Sequence, residues 1–194
     1  ILVDGGFYRK RAATVLGHST AKQRATELYS YCNRHLKDTS YGDEVRHDLY
    51  RIFYYDCPPI SKQVYHPQLK RTIDFSKSET KAWTEDFFNE LSHKRKVALR
   101  LGELSEGTVH YNLKPSSTKR LLNNTITVED LTEKDFSLSM QQKGVDMRIG
   151  LDIASLAYKH QVDKIVLIAG DSDFVPAAKL ARREGIDFVL DPLG

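Results

Sequence analysis

The chain has 194 residues, of which 40% are hydrophobic and 28% charged, and its formal net charge is +3. This composition is typical of a folded globular protein, and it excludes a mainly disordered chain. No apolar run approaches the roughly 20 residues that a membrane-spanning helix needs, so we expect no membrane partner. The small positive charge permits an anionic partner but does not require one. Cys32 and Cys57 form neither a disulfide framework nor a zinc motif, so a reducing, cytoplasmic location is the simplest expectation.

The first third of the sequence predicts a strand, a long helix and a second strand. The letters ILVDGG, residues 1–6, indicate a short buried strand that ends at Asp4 and is followed by a Gly-Gly break. Helical periodicity then extends from about Arg9 to Lys37. The segment HDLYRIFYYDCPP, residues 47–59, is rich in aromatic side chains and predicts a strand that the two prolines stop.

The middle of the sequence is less regular. Residues 60–78 lack periodicity and predict a long loop. Residues 78–96 predict a helix that Ser78 or Thr80 caps, and VALRLGEL, residues 97–104, predicts a third strand.

The segment that follows predicts an insertion. TVHYNLK, residues 108–114, predicts a strand, and TVEDLTEKDF, residues 127–136, predicts a short helix. We interpret residues 105–141 as a variable insertion in a single domain that spans residues 1–194.

From Gly144 onward the pattern becomes regular. It predicts a helix whose apolar face is made of Val145, Ile149, Ile153, Leu156 and Ala157. A buried strand in DKIVLIAG, a helix in VPAAKLARREG that ends at Gly185, and another strand in IDFVLDPLG follow. Strands that alternate with helices predict an α/β fold with a central, mainly parallel sheet and helices on both faces.

Four aspartates are expected to meet at one edge of this sheet. Asp4 ends the first strand, and Asp171 and Asp173 follow the strand at 164–169. Ligands bind beyond the carboxyl ends of the strands in such sheets. Asp146 begins a helix that runs back before that strand, so it returns to the same edge, and the helical period places it on the core-facing side. The alternative for Asp146 is an N-terminal cap that the helix dipole stabilises.

The clustered carboxylates predict a metal site. Like charges repel unless a cation neutralises them, and Mg²⁺ or Mn²⁺ is held by carboxylate and water oxygens together with substrate phosphates. Such an ion activates water for attack on a phosphodiester. The sequence has no readable Ser-His-Asp pattern and no phosphate-binding glycine loop. The predicted catalytic and metal-binding residues are therefore Asp4, Asp146, Asp171 and Asp173.

Other charged residues leave alternatives open. Asp152 is expected to form a surface salt bridge with Arg148, four residues earlier. Asp56 and Asp191, which end or follow strands, either line the site or start turns. Basic side chains either bind an anionic partner or form solvated helix faces, and the candidates for the first role are Arg9, Lys10, Arg11 and Lys143.

Three blocks of the sequence resemble one family. KGVDMRIGLDIASLAYKHQVDKIVLIAGDSDFVPAAKLARREG, residues 143–185, resembles the signature block of the NYN domain, in the LabA-like branch of the PIN-like nucleases. ILVDGGFYRKR and LYRIFYYDCPP resemble the first two strands of that branch. The resemblance implies a Rossmann-like PIN fold and an Mg²⁺- or Mn²⁺-dependent ribonuclease whose acidic positions fall on Asp4, Asp146, Asp171 and Asp173. The family often has an aspartate at the position of Asp152 too. Many relatives carry an asparagine where this chain has Phe7, which cannot orient a metal-bound water.

The leading hypothesis is therefore a ribonuclease that cleaves RNA, with DNA left open as a substrate. A second hypothesis is a catalytically weak RNA-binding or regulatory protein that keeps the nuclease fold, which Phe7 and the modest charge favour. A third is a metal-dependent phosphatase, which expects a second aspartate where Gly6 stands. Exposed edge strands in such folds often pair, which would give a homodimer.

Overall fold

The computed structural model describes residues 1–40, 43–105, 107 and 109–193. The chain divides into two compact units. Unit 1 contains Ile1–Pro58, Trp83–Glu103 and Lys143–Gly194, and unit 2 contains Pro59–Ala82 and Leu104–Gln142. The insertion predicted at 105–141 falls in unit 2, which also contains residues 59–82. None of the helices in the described ranges is long and apolar enough to cross a membrane.

Short strands and helices alternate along the described residues. The strands are β1 (Leu2–Asp4), β2 (Lys37–Ser40), β3 (Asp43–Arg46), β4 (Ile52–Asp56), β5 (Gln63–His66), β6 (Arg71–Asp74), β7 (Val97–Leu101), β8 (Glu103–Leu104), β9 (His110–Leu113), β10 (Phe136–Ser139), β11 (Gln142–Lys143), β12 (Lys164–Ile168) and β13 (Asp187–Asp191). The helices are α1 (Gly5–Leu16), α2 (Ala21–Arg34), α3 (Glu79–Ser92), α4 (Pro115–Leu122), α5 (Val145–Tyr158) and α6 (Val175–Arg183).

Unit 1 is built around five parallel strands in the order β13-β12-β1-β4-β7. In the central strand β1, Val3 is aligned with Ile168 of β12 on one side and with Tyr54 of β4 on the other. All five residues of β4 are buried, which is typical of a parallel strand covered on both faces. The other strands form two-stranded pairs: β2-β3, β5-β6, β8-β11 and β9-β10.

Helices cover both faces of the five-stranded sheet. On one face, α5 and α6 pack against strand residues such as Leu2, Tyr55 and Leu167. On the other face, α1, α2 and α3 pack against alternate strand residues such as Val3 and Tyr54. The predicted α/β fold, with a parallel sheet between two layers of helices, is therefore confirmed. Burial of apolar side chains on both faces of the sheet is the dominant force that stabilises it.

The prediction of one long helix from Arg9 to Lys37 is wrong. The chain forms α1 and α2, which are separated at Gly17, and Gly17 adopts a left-handed conformation with φ of 77°. Thr20 then starts α2 with a capping box, in which its side chain and that of Gln23 each accept a backbone hydrogen bond from the other residue. Apolar periodicity continues across the break, so periodicity alone could not locate it. The strands β2 and β3, at 37–46, were not predicted.

Two predictions for unit 2 are also wrong. Residues 60–78 form the hairpin β5-β6 rather than a loop, and Val64 of β5 is buried with Ile60 and Val109. The helix predicted at 127–136 is only a 3-10 turn at Glu133–Asp135, followed by β10.

Side-chain hydrogen bonds explain the missing helix in unit 2. The carboxylate of Asp135 accepts hydrogen bonds from the backbone and hydroxyl of Thr132 and from Ser117, and such bonds compete with helix formation. Helix α4, at Pro115–Leu122, was not predicted. The strand predicted in TVHYNLK is confirmed as β9, although Thr108 lies outside the described residues.

Candidate active site

The order of the strands creates a switch point at the carboxyl edge of the sheet. The connections from β1 to β4 and β7 run over the face that α1, α2 and α3 cover. The connections to β12 and β13 use α5 and α6 on the opposite face, so the two directions diverge between β1 and β12. Open α/β sheets bind ligands at such a point. Asp4 ends β1, and Asp171 lies three residues after the end of β12, so both carboxylates lie at the switch point.

Asp4 is fixed by the helix that it starts. It is the N-terminal cap of α1, and its Oδ1 accepts a hydrogen bond of 3.1 Å from the backbone N–H of Phe7. Burial raises the pKa of this half-buried carboxyl above its usual value of 3.8. Hydrogen bonds from Phe7 and Gly6 oppose that shift, whereas repulsion from Asp146 and Asp56 adds to it. Asp4 therefore has a capping role and also lies within electrostatic range of other carboxylates.

Asp171 and Asp173 lie in an exposed turn that the core anchors. Asp171 caps the 3-10 turn Ser172–Phe174, and its Oδ1 accepts a hydrogen bond of 3.0 Å from the N–H of Asp173. Both aspartates are exposed, while Phe174 is buried in the core between the sheet and α5. The buried ring holds the turn in place, so the two carboxylates face solvent at a defined position beside β12.

Asp146 lies in the first turn of α5, as predicted, but its side chain does not face the core. It is exposed, and the neighbouring Val145 takes the buried position. Partial burial raises the pKa of Asp146 above 3.8, and repulsion from Asp171 and Asp173 raises it further. The N-terminus of α5 therefore lies at the same edge as the strand ends, although the helical period placed the wrong residue of the first turn on the core-facing side.

The side chains at this edge offer carboxylate oxygens, which are the donors that hard divalent cations prefer. Among the described residues, no lysine, arginine or histidine forms an ion pair with Asp4, Asp146, Asp171 or Asp173. Across the same ranges, no three side chains of the metal-binding types lie close enough together to enclose an ion. The carboxylates therefore repel one another electrostatically without forming a compact ligand cage. Mg²⁺ suits such an arrangement because it is usually held by one or two carboxylates and several waters.

The side chain of Phe7 lies beside this acidic edge. Its ring packs against Gly170, and a Cβ placed on Gly170 would lie 2.4 Å from Phe7 Cε2. Only glycine allows this contact, because any side chain would overlap the ring. The backbone N–H of Phe7 is bonded to Asp4, and its side chain offers no polar atom beside Asp171. An apolar surface therefore lies between two of the predicted site residues.

Asp56 proves to be a buried, fully bonded carboxylate. Its side chain is 0% exposed, and its Oδ1 is 2.9 Å from Arg9 Nη2 and 2.8 Å from the donating N–H of Cys57. The hydroxyl of Tyr54 donates to Oδ2 at 3.0 Å. Burial raises the pKa of Asp56, and Arg9, Cys57 and Tyr54 each act to lower it. Asp56 therefore lies beside the site but is engaged by protein partners.

The four basic residues predicted to bind RNA occupy different environments. Arg9 is partly buried against Asp56, and the Nε of Arg11 donates to the carbonyl oxygen of Leu193. Lys10 and Lys143 are exposed. Lys143 immediately precedes Gly144, the left-handed residue that starts α5, so it lies close to the acidic edge.

The expected ion pair between Asp152 and Arg148 is wrong. Asp152 accepts hydrogen bonds from Tyr55 at 2.7 Å and from Arg100 at 3.2 Å, because α5 turns that residue towards the sheet. Asp152 is thus a link between α5 and the strands β4 and β7.

Asp191 is likewise tied into the protein. It accepts hydrogen bonds from Tyr31 at 2.5 Å and from the backbone N–H of Leu193 at 2.8 Å, and it is 2.8 Å from His35. Burial acts to raise the pKa of Asp191, but these partners outweigh it and the pKa lies below 3.8. Asp191 therefore joins β13 to α2.

One cleft of unit 1 lies away from the aspartates. A cleft of 360 Å³ lies near the amino ends of the strands and is lined by residues that include Ile1, His47 and Lys164. The predicted site is an open edge, because Asp146, Asp171 and Asp173 are all exposed. An open acidic edge can accept an extended polymer, whereas small substrates are usually enclosed in a pocket.

The fold and the site together define a class: a doubly wound α/β protein with acidic side chains at its switch point. The NYN domain family matches residues 61–191, and the chain belongs to this family. NYN domains are members of the PIN-like nuclease superfamily, and the five-stranded parallel sheet flanked by helices is consistent with that fold. The matched residues include Asp146, Asp171 and Asp173, whereas Asp4 precedes them. No curated protein and no solved structure matches the chain.

Sequence reasoning missed two contacts at this edge. The pairing of Arg9 with Asp56 joins residues 47 positions apart, and no local pattern indicates it. One feature of the sequence could have indicated the contact between Phe7 and Gly170. A glycine next to a buried strand often marks a place where another group packs closely against the backbone.

Proposed function

We propose that this protein is a divalent-metal-dependent endoribonuclease of the LabA-like branch of the NYN family. The observation that carries the proposal is the convergence of Asp4, Asp146, Asp171 and Asp173 on one edge with no described cation to neutralise them. Burial and mutual repulsion raise the pKa of both Asp4 and Asp146. Groups perturbed in this way, at a place where the fold binds ligands, are typical of functional sites.

The proposed roles follow from how each carboxylate is held. Asp4 and Asp171 each use one oxygen to accept a backbone N–H, which leaves the second oxygen oriented for a ligand. Asp146 and Asp173 are exposed and would orient water molecules around the bound ion. A bound Mg²⁺ or Mn²⁺ would supply an activated water and stabilise charge on a phosphodiester. Lys10 and Lys143 would attract the RNA backbone from solvent.

Metal binding and cleavage are tested together. Calorimetric titration of Mn²⁺ into the wild-type protein and into Asp171→Asn measures binding, and both proteins are then incubated with a labelled single-stranded RNA. We expect the wild-type protein to bind the ion and cut the RNA, and we expect Asp171→Asn to lose both activities. Intact RNA with both proteins, under conditions where Mn²⁺ binds, would contradict the proposal. A matched DNA of the same sequence shows whether the sugar matters.

A catalytically weak RNA-binding or regulatory protein is the second candidate, and Phe7 favours it. Phe7 places an apolar ring where an asparagine could orient a metal-bound water. If this residue limits catalysis, Phe7→Asn should increase the cleavage rate roughly tenfold, in the range that outer ligands of metal sites contribute. Phe7→Leu is the matched control, because it also removes the ring but adds no polar group. An unchanged rate in Phe7→Asn would mean that Phe7 does not restrain the site.

Location and assembly are further parts of the proposal. Both cysteines are free and buried, which suits a reducing cytoplasm. A homodimer would form through an edge strand of the five-stranded sheet, and its formation would appear as a concentration-dependent mass in sedimentation or light scattering. A monomer at all concentrations would remove the homodimer from the proposal without affecting the nuclease.

A further inference from the structure

The carboxyl edge of the sheet is divided by charge. The four aspartates lie around the ends of β1 and β12, whereas two arginines flank the end of β4. Arg9 reaches this end from α1, on one face of the sheet, and pairs with Asp56. Arg148 lies in the first turn of α5, on the other face, within electrostatic range of Cys57, the residue that follows β4. The edge therefore has an acidic half and a basic half, and only the acidic half is used in the proposed function.

Arg9 is held in one orientation by protein partners. Its Nη2 is 2.9 Å from Asp56 Oδ1, and its Nη1 is 3.4 Å from the hydroxyl of Thr84. The side chain of Asp56 is 0% exposed and is itself fixed by Tyr54 and Cys57, whereas the side chain of Arg9 is 27% exposed. An arginine that is already oriented loses less conformational freedom when it binds a ligand.

The position of Gly5 ties this network to the acidic half. A Cβ on Gly5 would lie 2.6 Å from both Asp56 Oδ2 and Tyr54 Oη, so the network packs directly against the first residue of α1. Gly5 follows Asp4 in the chain, and the place of Arg9 is therefore fixed relative to Asp4. The side chain of Arg9 is partly exposed, and Nη1 and Nη2 each carry a second N–H besides the one bonded to Thr84 or Asp56, so the guanidinium keeps donor capacity that these partners do not use.

Arg148 is placed by the packing of α5 against the end of β4. A Cβ on Gly102 would lie 2.9 Å from Val145 Cγ2 and 3.2 Å from Cys57 Sγ, so α5 begins beside Cys57. Arg148 is exposed and forms no ion pair with any described residue. Burial raises the pKa of Cys57, while Arg148 and Arg9 both act to lower it, so both guanidinium groups lie within electrostatic range of this side chain.

We propose that Arg9 and Arg148 form a phosphate-binding subsite at the end of β4, with Asp56 as the residue that orients Arg9. Guanidinium groups bind phosphate oxygens through paired N–H donors, and two of them approaching from opposite faces can hold one phosphodiester group. The subsite would hold a backbone phosphate next to the one at the aspartates, and that neighbour relation rests on the proposed function. A single strand would then cross the edge from β12 towards β4.

The test measures binding rather than cleavage. All proteins carry Asp171→Asn to keep the probe intact, and the probe is a fluorescein-labelled single-stranded RNA dodecamer followed by anisotropy over a series of salt concentrations. Each lost phosphate contact lowers the slope of log affinity against log salt by about 0.7. We expect Arg148→Ala to weaken binding roughly tenfold and to lower the slope by about this amount, because a hydrogen bond to a charged group is lost. A DNA dodecamer should show the same change if the contact is to phosphate alone.

Arg183→Ala is the matched control, because Arg183 is exposed at the end of α6, near the amino ends of the strands. It should leave affinity and slope unchanged. Arg9→Lys keeps an ion pair with Asp56 but removes the fork of donors, so binding should weaken while circular dichroism shows the folded protein. In the Arg9→Lys protein, Asp56→Asn should weaken RNA binding no further. If Asp56 supported binding in another way, the second substitution would cause an additional loss of affinity.

The outcomes separate this proposal from the proposed function. An unchanged slope in Arg148→Ala, or an equal loss in Arg183→Ala, would overturn the subsite even if the wild-type enzyme cleaves RNA. Absence of any binding of the dodecamers would overturn it as well. Loss of binding in Arg148→Ala, in a protein whose wild-type form never cleaves RNA, would support the subsite and remove the nuclease.

Discussion

Phe7 packs its ring directly against Gly170, close to the point where Asp4 ends β1 and Asp171 follows β12. The contact joins the start of α1 to the strand on the other side of the switch point. It sets the spacing between Asp4 and Asp171, because each of these residues is adjacent to one member of the pair or bonded to it. The apolar ring and the glycine are therefore part of the architecture of the acidic edge.

Gly170→Ala should be destabilising. The new methyl group would overlap the ring of Phe7, and overpacking of this kind costs about 1–3 kcal/mol in free energy of unfolding. Chemical denaturation measures the change. Gly150→Ala is the matched control, because a Cβ at Gly150 in α5 meets nothing within 4 Å and should stabilise the helix by about 0.5–1 kcal/mol. A smaller cost of Gly170→Ala in the Phe7→Ala background than in the wild type would confirm the clash as the cause, and equal effects of Gly170→Ala and Gly150→Ala would refute it.

Asp146→Asn should raise the melting temperature of the metal-free protein at neutral pH. The pKa of Asp146 is raised in the folded state, so the folded protein binds its proton more tightly than the unfolded chain does. As the pH rises from 3.8 through the raised pKa, Asp146 becomes charged and the free energy of unfolding falls. This loss of stability persists at pH values above the raised pKa. The advantage of Asp146→Asn should shrink when the pH falls below 3.8. Asp86→Asn, an exposed change on α3, serves as control, and a melting temperature lowered by Asp146→Asn would contradict the repulsion.

Mn²⁺ should stabilise the wild-type protein but not a variant that lacks two of the site carboxylates. An ion that binds only the folded state raises the free energy of unfolding, by about 2.7 kcal/mol at one hundred times its dissociation constant. The wild-type protein should therefore gain stability when Mn²⁺ is added and lose it again with a chelator. The double variant Asp146→Asn/Asp171→Asn should show no gain, because two carboxylates are removed. Equal gains in both proteins, measured by thermal unfolding, would place the metal elsewhere.

Arg9→Ala should be strongly destabilising. It leaves the buried carboxylate of Asp56 without its cation, and breaking a buried pair in this way costs about 3–5 kcal/mol. Arg100→Ala is the control, because Arg100 is 45% exposed in its pair with Asp152, and exposed pairs contribute about 1 kcal/mol or less. Arg9→Ala/Asp56→Asn should recover part of the loss, because the amide removes the uncompensated charge while its oxygen still accepts a hydrogen bond from Cys57 or Tyr54. A cost below that of Arg100→Ala would mean that Asp56 is not charged in the folded protein.

Much of unit 1 could be predicted because its signals are local. Buried strands such as ILVD and KIVLI, each bounded by glycine or aspartate, follow from short apolar runs, and the parallel sheet follows from their alternation with helices. The edge at which Asp4 and Asp171 lie follows from connectivity alone, since all parallel strands end at the same side. The helix break at Gly17 was not predicted because the apolar periodicity continues across it. The hairpin β5-β6 was not predicted because its sequence has no clear apolar periodicity.

By itself, the sequence determined the α/β class, the carboxyl edge as the place of the acidic residues, and the identity of the four aspartates that approach it. These depend on the order of elements along the chain, which the pattern of apolar residues and turns encodes. Only the tertiary structure decided that Asp56 is buried against Arg9, that Asp152 bonds to Tyr55 rather than to Arg148, and that Phe7 lies on Gly170. Each of these contacts joins residues far apart in the chain, and their distances depend on how helices pack on the sheet, which no local pattern specifies.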